Sequence, residues 1–140
     1  MAEHKMYYDD LSPYRRVSGT EGLNIGWLEV GRDYPKGQVS SAFLEALFVM
    51  LADRQNHRNV TRGYHQCHFC DRFSWKDLKI ERSGRTALLG DAEIHVLCGT
   101  QLYVAPTLVY HYIESHGYLP PKAFVDAVLR LSGSNSADSG

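Results

Sequence analysis

Cysteine is scarce in this chain. Three in 140 residues is an odd number and too few for a disulfide-stapled scaffold. A long apolar run is also missing. The longest stretch, residues 43–52, is interrupted by Glu45 and reaches about half the length that a bilayer requires. Residues 1–10 carry charges and two tyrosines but no apolar core of a leader peptide. These two absences give the expectation of a reducing, cytoplasmic setting away from membranes. Net charge is nearly absent, since 15 Lys and Arg face 16 Asp and Glu. The chain as a whole is therefore not drawn to nucleic acid or to an acidic surface. No glycine-rich phosphate loop, nucleophile-elbow serine or H-E-x-x-H pattern occurs.

What is present is an ordinary globular composition, 44% hydrophobic and 22% charged, which excludes a chain disordered throughout. The length suits one domain. Residues 1–22 are polar, end in Ser18-Gly19-Thr20-Glu21-Gly22, and are read as an N-terminal arm. Residues 23–131 form the expected domain. Residues 132–140 hold one alanine and otherwise serine, glycine, asparagine and aspartate, which cannot repay their ordering entropy; a disordered tail is expected.

Within the domain the elements are short. Residues 23–30 read as a strand. Ser40 or Ser41 can cap a helix running to about Ala52, with Phe43, Leu44, Leu47, Phe48 and Leu51 on one stripe. Residues 62–66 read as a short strand leading into the cysteines. Ala92, Ile94, Val96 and Cys98 alternate with Glu93, His95 and Leu97, which is the period of a strand. Gly99-Thr100 supplies a two-residue turn with glycine first, and residues 102–104 return. An earlier strand start near Thr86, bent at Gly90-Asp91, is a variant of this reading. Pro106 suits a first helical position and Gly117 a helix end. Pro120-Pro121 opens a last helix. The class expected is α+β, a small antiparallel sheet packed by about three helices, with a zinc knuckle.

The informative segment is Arg62-Gly63-Tyr64-His65-Gln66-Cys67-His68-Phe69-Cys70. Two cysteines separated by two residues can grip one ion from a tight turn. Roughly forty residues later comes His111-Tyr112-Ile113-Glu114-Ser115-His116. C-x2-C with H-x4-H gives the pair spacings of a Cys2His2 zinc site. Zinc suits mixed thiolate and imidazole donors, and a four-donor set is structural rather than catalytic. On an ideal α-helix an i, i+5 pair sits about 140° apart around the axis and about 7.5 Å apart along it. The helix must therefore depart from α geometry before Gly117, or only one histidine binds. His65 is the substitute ligand, because in an extended segment it points to the side of Cys67. His68 is read as pointing outward. Cys98 is read as a small buried hydrophobe, and His95 with Glu93 as an exposed or half-exposed strand face rather than an acid–base pair.

The spacing of Cys67, Cys70, His111 and His116 resembles the ligand pattern of Cys2His2 zinc fingers, though a finger holds its pairs within about a dozen residues. The stretch from Gly26-Trp27-Leu28-Glu29 to His116-Gly117-Tyr118-Leu119-Pro120-Pro121 resembles small uncharacterised bacterial zinc-binding proteins. That resemblance implies no activity.

Three functions compete. The leading expectation is a non-catalytic, zinc-stabilised binding protein acting through a protein partner, in an inhibitor, immunity-like or accessory role. Residues 53–85 hold eight basic residues against four acids, and aromatics interleave with them. Arg54, Arg58, Arg62, Arg72, Lys76 and Lys79 are thus candidates for a nucleic-acid face. The less demanding reading is a solvated surface beside the knuckle with Trp75 in the core. A zinc-dependent hydrolase would need one donor missing from the metal shell, with Glu93 or Glu114 as general base.

Overall fold

The protein is described by a computed structural model at residues 8–14, 22–61, 65–70 and 75–132. Ser40 sits in extended conformation and its Oγ accepts from the Phe43 amide at 3.1 Å, which starts α1 (Ser41–Ala52). Phe43, Ala46, Leu47, Phe48 and Leu51 form its buried stripe, the spacing that a one-sided helix requires.

Among the described residues seven strands follow one another: β1 (Pro13–Tyr14), β2 (Gly22–Asn24), β3 (His57–Arg58), β4 (Lys79–Arg82), β5 (Arg85–Leu88), β6 (Glu93–Cys98) and β7 (Gln101–Pro106). Five form one sheet in the order β1-β2-β7-β6-β3, while β4 and β5 form a separate hairpin. The class is α+β, as expected. The sheet is mixed rather than wholly antiparallel, because β2 runs parallel to β7 with Leu23 opposite Tyr103. Strands that far apart in sequence can pair in either direction, since no short turn joins them.

The β6–β7 hairpin forms as predicted, with Cys98 opposite Gln101 and Gly99 at φ +63°. Other expectations shift. The strand expected over residues 23–30 stops at Asn24, because Gly26 turns the backbone to φ +74°. Trp27 makes only an isolated bridge, with Tyr8. The strand expected over 62–66 is not found at His65 and Gln66, and Arg62 to Tyr64 lie outside the described residues. β5 ends at Leu88 and is not the start of β6; a Ser83-Gly84 turn with both residues at positive φ pairs it with β4 instead. Pro106 closes β7 rather than opening a helix. α2 (Val109–His116) begins three residues later and α3 is Lys122–Ser132.

Residues 8–14, assigned by the sequence to the arm, pack against the domain. β1 pairs with β2, and the Asp10 carboxylate accepts from the Gly26 amide at 2.9 Å and from the Tyr118 hydroxyl at 2.8 Å. The expected tail lies outside the described residues after Ser132. The core joins α1, α2 and α3 to the sheet and to β5 through Phe43, Leu47, Leu89, Ile94, Val109 and Phe124. No helix among the described residues is long and apolar enough to cross a membrane.

Candidate metal centre

Cys67 to Cys70 form a tight turn, closed by a Cys70 amide to Cys67 carbonyl bond of 3.4 Å. His65, just before it, anchors the segment by donating its amide to the Gly90 carbonyl at 2.7 Å. Gly90 has φ +95°, and a Cβ there would meet the His65 carbonyl oxygen at 3.0 Å and Leu78 at 2.8 Å. The close approach of the two chains thus requires glycine.

The facing donors come from the end of α2. Gly117 takes the left-handed conformation at φ +67° and its amide bonds to the Tyr112 carbonyl, five residues back, where an α-helix would bond four back. The Tyr118 amide reaches the same carbonyl at 3.2 Å. The last turn is therefore widened, and this departure from α geometry meets the condition that the H-x4-H spacing sets. The two imidazole rings lie 5.1 Å apart, nearly perpendicular.

One donor atom from each of Cys67, Cys70, His111 and His116 lies within 4.8 Å of the other three. Cys67 Sγ is 3.3 Å from His116 Nε2, and Cys70 Sγ is 3.3 Å from His111 Nε2 and 3.4 Å from His116 Nε2. A tetrahedral ion with bonds of about 2.3 Å to sulfur and 2.0–2.1 Å to nitrogen sets these donors about 3.5 Å apart. The three sulfur–nitrogen distances match that spacing, and the remaining pairs stay within 4.8 Å. The four side chains can hold one tetrahedral metal ion, with no protein-free position left in its shell.

Burial sets the protonation of these groups. It pushes the Cys67 thiol up to about 11, with neighbouring Cys70 adding to the rise. Burial lowers the His111 imidazole, and the adjacent His116 lowers it further. His116 is lowered by burial as well. Without an ion the cluster thus favours a Cys67 thiol and neutral imidazoles. A cation would take the sulfurs as thiolates and release their protons.

Aromatic rings brace the centre. Phe69, between the cysteines, packs edge-on against Tyr34 at 5.5 Å and Tyr112 at 5.8 Å, and tilts against His116 at 5.4 Å. The Tyr34 hydroxyl donates to the His116 carbonyl at 2.8 Å, which pins the end of α2. On the outer face of the helix Glu114 accepts from Arg82, joining α2 to β4. A family model described as a domain of unknown function (DUF7919) matches residues 6–129. The chain belongs to this family. No curated protein and no solved structure matches it. The DUF7919 match spans both ligand pairs and the packed segment around Asp10.

The other sequence candidates take different places in this DUF7919 domain. His65 and His68 are exposed and stand outside the four-donor cluster, so the substitute ligand is not needed to complete it. Cys98 is partly buried against the core. Glu93 departs from the exposed or half-exposed face expected of it, while His95 is half-exposed as expected. Glu93 is 2% exposed and its Oε1 accepts from Asn59 at 2.9 Å, with His95 Nε2 also at 2.9 Å. They form a hydrogen-bonded pair in which Glu93 is buried and His95 half-buried, because β3 and the loop after it cover this end of β6. Of the basic candidates, Arg54 is paired with Asp91, Arg58 donates to the Gln55 carbonyl, and Lys79 lies beside Glu81. Lys76 is exposed. Arg62, Arg72 and the Trp75 side chain lie outside what the structure describes.

Sequence reasoning missed a cleft beside the knuckle. It encloses 360 Å³ between the segment around Trp27, the loop at Asn59, the knuckle and the start of β6. The available signal was the i, i+2 spacing of Glu93 and His95 with Asn59, an asparagine at φ +52° in a loop.

Proposed function

We propose that the chain is a non-catalytic binding protein whose fold is closed by a structural zinc ion and which acts on a protein partner. The observation that carries the reading is the cluster of four donors, two cysteine sulfurs and two imidazoles, within 4.8 Å of one another. Zinc suits that mixture without redox chemistry, and when bound it would supply cross-linking rather than a reactive water. A reducing, cytoplasmic setting is consistent with thiolates kept available as ligands.

This chain's residues support a structural role in two ways. Cys67 and Cys70 come from a loop and His111 and His116 from the end of α2, so the ion ties two remote parts of the chain. Glu114, the base that a hydrolase would need near the metal, is paired with Arg82. The test has two arms. Elemental analysis of the purified protein should find about one zinc per chain, and tagged, metal-loaded protein should retain a specific protein from the source cell. Protein that carries no zinc after growth in zinc-containing medium, or that retains no partner, would sink the reading.

A further inference from the structure

We infer that the 360 Å³ cleft beside the metal knuckle is a binding site for a cationic group, an ammonium or guanidinium on an apolar stem. The inference deepens the partner-binding reading by naming the chemistry that the partner would insert. The volume lies within the roughly 300–1,000 Å³ of small-ligand sites. Trp27, Phe69 and Tyr112 line it and provide aromatic surface. Three carboxylates, Glu29, Asp91 and Glu93, line the same cleft, and no described lining residue is lysine or arginine.

This combination selects a sign. Aromatic faces attract cations through their negative quadrupole, and carboxylates add charge-assisted hydrogen bonds to N–H donors. An anion would meet the same three carboxylates at a loss. Glu93 is the best placed of the three, since Glu29 is ion-paired with Arg32 at 3.1 Å. It is buried, and Asn59 and His95 fix its Oε1. A neutral amide donor such as Asn59 orients a carboxylate without cancelling its charge. Asp91 is shared with Arg54, at 3.2 Å, and so contributes less.

The cleft also depends on the knuckle for its shape. Phe69 lies on the cleft wall, and Cys67 and Cys70 bracket it in sequence. Its ring rests against His116, one of the four donors. An ion at the cysteines would thereby hold one wall of the cleft in place.

The test uses the full metal-loaded protein and amide NMR. Arginine amide and isopentylamine should each shift the backbone amides of Gly90 and Ala92 and the side-chain amide of Asn59 in a saturable way. Isocaproate, a carboxylate on the same type of stem, should leave them in place. Glu93→Gln keeps an oxygen for Asn59 and His95 and should weaken amine binding at least tenfold, with zinc content unchanged. An arginine-containing pentapeptide binding tenfold more tightly than arginine amide identifies a protein side chain as the source of the cation, and equal affinity identifies free amines. Both results support the site. The inference is overturned if no amine gives a saturable shift, or if isocaproate binds as well as the amines. The amine-against-carboxylate comparison needs no variant, so it stands even if Glu93→Gln fails to fold. Zinc content and partner capture are separate measurements, so failure here leaves the structural-zinc reading to be judged on its own.

Discussion

Cys70 and Cys67 differ in exposure, and this separates two effects of losing a thiol. Cys70 is half-buried, while Cys67 is 1% exposed. Serine at either position removes one of four donors, so zinc affinity should fall by more than about 100-fold, beyond the loss typical of an outer partner. Cys67→Ser should in addition lower the stability of the metal-free protein by about 1–3 kcal/mol, because it buries a hydroxyl in place of a thiol. Competition with a chromogenic chelator reads the affinity, and urea unfolding of the metal-free protein reads the stability. Tyr34→Phe removes only the donor to the His116 carbonyl. Its ring contact with Phe69 remains available, so a fall in affinity of up to about tenfold with little change in fold is expected.

The elements show what spacing can reveal. The C-x2-C and H-x4-H pairs were legible because metal ligands must be few, close and of the right atom type. The conditional on the helix end was legible too, because 3.6 residues per turn forbids an ideal i, i+5 pair. The β4–β5 hairpin was not, because Lys79-Ile80-Glu81-Arg82 has a single apolar residue and so no visible alternation. Only Ser83-Gly84 marks it, and a turn signal without flanking periodicity does not specify a strand. The parallel β2–β7 pairing was hidden for another reason: its two strands have no common turn to declare them. The serine cap of α1 was readable, and it yields a prediction at this scale. Ser40→Ala should cost about 1 kcal/mol and lower the melting temperature by about 4 °C. Zinc content should not change, since α1 carries no ligand; calorimetry and elemental analysis check the two halves.

For the molecule as a whole, two ties across the chain bear on stability. The first is the metal proposed above. Apparent zinc binding of about 10–16 kcal/mol in small peptides rivals the about 5–15 kcal/mol of a whole domain. Chelation should therefore abolish the cooperative melt or lower its midpoint by tens of degrees, and an unchanged melting curve after complete metal removal would count against a structural ion. The second tie is Asp10, held by Tyr118 and Gly26. Burial raises its carboxyl above the usual 3.8. The folded state then binds this proton more tightly than the unfolded chain does. Its contribution to stability is greatest below the unfolded value and declines as pH rises through the raised one. Asp10→Asn should remove that decline. The difference between variant and parent unfolding free energies, followed from about pH 3.5 to 6.5, reads this slope apart from metal effects common to both.

The order in which the ligands leave the ribosome has its own consequence. His116 follows Cys70 by 46 residues. At about 5–20 residues per second the thiol pair waits for about 2–9 s before its last imidazole exists. During that interval the nascent chain offers only half of a binding site, open to glutathione, oxidants and competing soft metals. For the zinc site proposed above, loading would then be a race that begins before the chain is finished.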